Sequence, residues 1–194
     1  TIATITGNAV EFYLQRRNAI TSGTSFKLSA GIALSPAGQM RRAFVYYFQR
    51  ERAHFRRPYT HWNSWFDLRG ANLTEAGTAQ RIQQFGSELV TKRGAVMDGW
   101  LLDDAWDNYN GEIWSIDPRA SKFPGAFLNL KTQAESYGGH LAIWMSPQGG
   151  YGSLQSSRLA ANSALPQPYE TAAFGFDLGQ PRYYNRFKSQ AVDF

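Results

Sequence analysis

Three apolar segments, each ending in tryptophan with small polar or acidic residues, constrain this 194-residue chain more than any other feature. They are residues 59–65 (Tyr-Thr-His-Trp-Asn-Ser-Trp), 98–107 (Asp-Gly-Trp-Leu-Leu-Asp-Asp-Ala-Trp-Asp) and 140–147 (His-Leu-Ala-Ile-Trp-Met-Ser-Pro). Short apolar runs bounded by loops predict buried parallel strands, here over 59–65, 96–102 and 141–145. Helical spacing fills the gaps between them. Asn72 or Thr74 can cap a helix running to Lys92, with Ala79, Ile82, Phe85, Leu89 and Val90 on its apolar side and Gly94 as its stop. A second helix runs from Phe123 to Tyr137 and ends at Gly138-Gly139. After a Gly/Ser/Pro/Ala-rich stretch over 147–181, which reads as a loop, residues 182–194 place Tyr184, Phe187, Ala191 and Phe194 on one side of a third helix. Strand, helix, strand, helix, strand, helix predicts parallel strands joined by crossovers. In such folds ligands bind at the C-terminal strand ends. The long loops also follow those ends, over 103–122 and 147–181.

The first 57 residues have a different texture. Ile2, Ile5, Val10, Phe12 and Leu14 alternate in part, and Phe26, Leu28, Ala30, Ile32 and Leu34 alternate cleanly. Residues 1–36 therefore read as the closing strands of a β-sandwich. Residues 38–56 read as an amphipathic helix linking it to the remainder of the chain, with a long strand as the other reading because Tyr46 to Phe48 interrupts the helical pattern. The predicted organisation is 1–57, sandwich end and linking helix, and 58–194, a βα-repeat domain.

Composition removes several functions. The chain has no cysteine, which excludes disulfides and thiolate chemistry. No run approaches the ~20 apolar residues of a membrane helix. The N-terminal Thr-Ile-Ala-Thr-Ile-Thr carries neither an initiator Met nor a signal-peptide pattern, so the expectation is a piece of a longer or processed protein. The compartment stays open between the cytoplasm and a secreted or periplasmic location. Net charge is +5, and Arg41, Arg42, Arg50, Arg52, Arg56 and Arg57 interleave with Phe44, Tyr46, Tyr47, Phe48 and Phe55. Such a pattern can bind nucleic acid. With no phosphate-cradling loop beside it, a helix with an apolar core face and a solvated arginine face is the better reading. Neither nucleic acid nor membrane is expected as a partner.

The strand exits carry the chemistry. Asp103 and Asp104 end the second strand, flanked by Trp100 and Trp106. Indoles stack on the C–H faces of sugar rings, and carboxylates and amides take their hydroxyls. Trp62, Asn63, Trp65, Asp103, Asp104, Trp106 and Trp144 are the candidate ligand-binding residues. Two bland readings compete: Asp104 capping its own loop, and any single Trp packing in a core. His61 and His140 match no metal spacing, and no cofactor is expected.

The order Trp62-Asn-Ser-Trp65, Asp98-Gly-Trp100 with Asp103-Asp-x-Trp106, Phe123-Pro-Gly125 and Gly139-His-Leu-Ala-Ile-Trp-Met-Ser-Pro147 resembles the start of the catalytic barrel of the α-galactosidase-like retaining glycoside hydrolases, which include the raffinose-synthase-like enzymes. The resemblance spans 58–194. It implies an α/β fold made of the first three βα units of a (β/α)8 barrel, preceded by a β-sandwich. It also implies an oligosaccharide or glycoside substrate, with Asp103 and Asp104 on sugar hydroxyls and Trp62, Trp106 and Trp144 around the pocket. That group places its nucleophile in a Lys-x-Asp pattern after the fourth barrel strand and its acid/base after the sixth. No Lys-x-Asp occurs in this sequence, so no catalytic residue is assigned and the chain by itself is expected to be inactive. Gln148-Gly-Gly-Tyr-Gly152 and the length of 147–181 depart from the group's pattern. The other reading is a carbohydrate-binding homologue without chemistry. An incomplete barrel exposes strand edges, so a second chain or oligomer is an expected partner.

Overall fold

The alternation of Trp62, Trp100 and Leu141 with smaller or more polar neighbours sets the architecture of the larger unit. In the computed structural model these residues lie side by side on β3 (His61–Asn63), β4 (Gly99–Leu102) and β5 (His140–Ile143). The three strands form one parallel sheet in the order β3-β4-β5, as the repeated pattern predicts. The structure describes residues 2–13, 22–23, 25, 27, 29, 31–53, 55, 57–116 and 122–193. They divide into two units, residues 1–57 and 58–194.

The helices form where periodicity places them, with shorter bounds. Thr74, in extended conformation, accepts a hydrogen bond from the Gly77 N–H at 3.1 Å and starts α2 (Glu75–Phe85). The helix then widens to a π-turn over Gly86–Thr91. The next helix, α3 (Leu128–Ser136), stops at Gly138, whose φ is +79°. Because side chains alternate along a strand, Trp62, Trp100, Leu102, Leu141 and Ile143 share one sheet face. That face joins Ile82 of α2 and Leu130 and Ala134 of α3 in a single hydrophobic core. The opposite face carries His61, Asn63, Leu101, His140 and Ala142, all half-buried or exposed.

The sheet is open: three strands, mixed with helices, and not closed into a barrel. One correction applies to this unit. The stretch 147–181 is not a loop, because it holds α4 (Gly152–Ser163) and a hairpin of β6 (Thr171–Ala172) with β7 (Gly175–Phe176). The last helix, α5 (Pro181–Asp193), adds the fully buried Tyr183 to the core.

In the smaller unit, β1 (Ile2–Thr6) and β2 (Ala9–Tyr13) form one antiparallel hairpin. No second sheet packs on it among the described residues. Ile32 and Leu34 are exposed and in no strand; Leu14, Phe26, Leu28 and Ala30 of the alternating runs lie outside the described residues. The helix α1 (Met40–Glu51) forms, but none of its residues is buried. Its expected apolar core face is instead exposed at Phe44, Tyr46, Tyr47 and Phe48.

Candidate functional site

The backbone leaving β3 turns at once into a short 3-10 helix, Ser64–Phe66. Asn63 makes this turn possible: its Oδ1 accepts the Trp65 N–H at 2.8 Å. The carbonyl end of the amide is thereby committed, and its N–H donors have no partner within the described chain. Buried Ser64 accepts the Asp103 N–H at 2.8 Å, joining the exits of β3 and β4. Asp103 in turn accepts the Asp104 N–H at 2.8 Å, and Asp104 Oδ1 accepts the Ala105 N–H at 2.9 Å. These local bonds are the loop-capping arrangement expected of aspartates leaving a strand.

At these exits lies a cleft of about 550 Å³, within the range of small-molecule sites. It is lined by Asn63, Trp65, Phe66, Asp103, Asp104, Trp144 and the start of α4 with Tyr151 and Ser153. Five of the seven sequence-predicted residues therefore share one cleft: Asn63, Trp65, Asp103, Asp104 and Trp144. Two do not. Trp62 is in the sheet core because its parity matches that of Trp100. Trp106 is stacked on Trp114 at 6.0 Å and packs beside Phe127, and its indole N–H donates to the Trp144 carbonyl at 2.7 Å. Trp62 therefore belongs to the core, and Trp106 touches the site only through the Trp144 backbone. Phe66, Tyr151 and Ser153 join the cleft without having been expected there; Tyr151 carried a signal, as the aromatic in the Gly-Gly-Tyr-Gly run after the third strand. A second cavity of about 520 Å³ lies at the opposite end of the sheet, where His140 begins β5, beside Lys131 and Glu135.

Directly under the cleft is an ionic cluster that sequence reasoning missed. Arg158 of α4 is fully buried. Its guanidinium donates to Asp107 at 2.5 and 2.9 Å, to Asp104 Oδ1 at 2.6 Å and to the Gly149 carbonyl at 3.0 Å. It also stacks on Trp114, 4.6 Å from the ring centre. Asp107 further accepts the Trp114 N–H, and the Trp114 indole donates to the Tyr183 hydroxyl at 3.1 Å. Burial pushes the Asp104 carboxyl above its ordinary range, opposed by Arg158 and reinforced by Asp107. Burial works against the Arg158 charge too, and the two carboxylates more than offset it. Gly150, at φ +95°, permits this assembly: a Cβ there would stand 2.4 Å from the Arg158 guanidinium and 3.1 Å from Asp104 Oδ2.

Among the described residues no group of His, Asp and Glu is arranged to hold a metal ion, and no helix is long and apolar enough to cross a membrane. No family model, curated protein or solved structure matches the chain.

Proposed function

We propose that the cleft binds a neutral sugar, and that the chain is the substrate-holding part of an α-galactosidase-like glycoside hydrolase acting on α-linked sugars. One observation carries the reading. Four aromatic rings (Trp65, Phe66, Trp144, Tyr151) and a small set of polar groups (Asn63, Asp103, Asp104, Ser153) meet in one cleft at parallel strand ends. Aromatic faces take the apolar side of a pyranose, and carboxylates and amide N–H groups take its hydroxyls. Among the described residues that line the cleft none is basic, so an anionic sugar would meet the negative charge of Asp103 there. The finer fold reading, three units of a (β/α)8 barrel, belongs to this proposal and rests on the parallel β3-β4-β5 order.

The carbohydrate-binding homologue is supported by one specific observation. Asp104 is tied to Arg158, which leaves Asp103 as the cleft carboxylate without an ion-pair partner among the described residues. A retaining mechanism needs two carboxyl groups about 5–5.5 Å apart; in the glycosidase reading the reacting pair comes from later strands of the barrel. Calorimetric titration tests the reading. Melibiose should bind saturably and galacturonic acid should not, and Trp144→Ala or Asp103→Ala should weaken melibiose binding about tenfold or more, the scale of losing ~1.4 kcal/mol. Equal binding of both sugars, or unchanged affinity in both variants, would refute it.

A further inference from the structure

The arginine beneath the cleft has a charge count that does not close. Asp104 and Asp107 are both buried and share the single guanidinium of Arg158. Asp107 uses both of its oxygens on Arg158. Asp104 uses only Oδ1, which also accepts the Ala105 N–H. Its Oδ2 accepts no hydrogen bond from the described chain, and Asp104 lines the cleft.

We propose that Arg158 is a positioning residue for the cleft: anchored by Asp107, it fixes the Asp104 carboxylate by one oxygen and leaves Oδ2 as an oriented acceptor for a ligand hydroxyl. The part of this that names a hydroxyl rests on the sugar reading; the coupling of Arg158, Asp107 and Asp104 does not. A guanidinium holding two carboxylates in fork geometry gives direction as well as charge. Lysine could supply the charge alone. The start of α4 lines the cleft, so the helix that contributes Arg158 also brings Ser153, and Tyr151 at its N-cap, to the same cleft. Binding-site shape and acceptor orientation are thus set by one element.

Burial pushes Asp104 toward its neutral form and Arg158 pulls it back, while Asp107 raises it further. The other titratable groups around it are Asp103 on the same loop, Lys122, whose Nζ donates to the Ala105 carbonyl, and Tyr183 of α5 behind Trp114. The two partners of Asp104 therefore act in opposite directions. Removing the Arg158 charge must raise the pH at which Asp104 ionises, and neutralising Asp107 must lower it.

The test measures the Asp104 carboxyl titration by carbon-detected NMR in the ligand-free 194-residue chain, in parallel with melibiose affinity across pH. Arg158→Gln should move the Asp104 midpoint up by about one unit or more, equivalent to about tenfold, and Asp107→Asn should move it down. Melibiose affinity should change in step: Arg158→Gln should weaken binding on the acid side and recover it on the alkaline side. Arg158→Lys should keep the midpoint near that of the parent while lowering affinity at every pH, because it restores charge without the fork. A merely structural role for Arg158 would lower stability in these variants without opposite midpoint shifts. If Arg158→Gln does not fold, Asp107→Asn and Arg158→Lys decide the matter. Unmoved midpoints, or shifts of the same sign, overturn the proposal. Opposite midpoint shifts with no melibiose binding by the parent chain would uphold the coupling and refute the sugar reading.

Discussion

The two faces of the β3-β4-β5 sheet are built from the same short strands and have opposite fates. One face holds Trp62, Trp100, Leu102, Leu141 and Ile143 against α2 and α3 and is closed from solvent at Trp62, Trp100 and Leu102. The other holds His61, Asn63, Leu101, His140 and Ala142 and stays half-open. The difference is one of parity. A step of one residue along a strand separates a structural tryptophan, Trp62, from a cleft residue, Asn63. The same step at the exit of β4 separates core Leu102 from cleft-lining Asp103. Residues that support the fold and residues that meet a ligand therefore alternate, and a substitution's effect should depend on parity more than on residue type.

The largest effects should fall on the closed face. Trp100→Ala removes a fully buried indole and should cost about 3–5 kcal/mol, whereas Leu101→Ala, its neighbour on the open face, should cost about 1 kcal/mol or less. Urea unfolding of the two variants compares them directly; similar losses would break the distinction between faces. Glycines give a second, smaller contrast. A Cβ on Gly139 would stand 2.5 Å from the Met97 carbonyl oxygen and 3.0 Å from the Trp100 indole nitrogen. Neither can move without shifting the sheet, so Gly139→Ala should cost about 1–3 kcal/mol as overpacking. At Gly99 the obstacle is the Tyr59 hydroxyl, 2.4 Å away at the end of a half-exposed side chain. That obstacle is a side-chain tip and not backbone, so Gly99→Ala should cost less than Gly139→Ala in the same unfolding assay.

The smallest effect is a slope with pH. Asp104 has its folded-state pKa raised by burial. The native state then holds a proton that the unfolded state has already released, so stability falls as pH rises from the ordinary carboxylate range, near 4, through the raised value. Asp104→Asn should remove that component. The difference in unfolding free energy between parent and variant should change across this window and be flat above it. A difference independent of pH would mean that Asp104 ionises as an ordinary exposed aspartate.

Much of this is legible in the sequence, and the failures have physical causes. The parallel strands, the Thr74 cap and the Gly138 stop follow from local pattern. Five site residues can be found because a strand exit concentrates them. The helix α4 escapes detection because its buried positions are Arg158 and Asn162, a polar pair at helical spacing. Pairing, not hydrophobicity, makes them tolerable inside: Arg158 with two aspartates, and Asn162 with both backbone groups of Tyr169. Apolar periodicity is blind to such a face. Trp62 and Trp106 read as pocket residues when residue type is weighed above strand parity and ring packing. The same blindness hides the Arg158 cluster, whose members are separated by 51 and 54 positions in the chain.

The six tryptophans permit the most direct test, because each indole N–H gives its own proton–nitrogen NMR signal. Four belong to the closed interior: Trp62, Trp100, Trp106 and Trp114. Two line the cleft: Trp65 and Trp144. Titrated with melibiose, the signals of Trp65 and Trp144 should move together and saturate on one binding curve while the other four stay in place. Absence of any shift, or movement of Trp62 and Trp106 without Trp65 and Trp144, would contradict a sugar site at the strand exits.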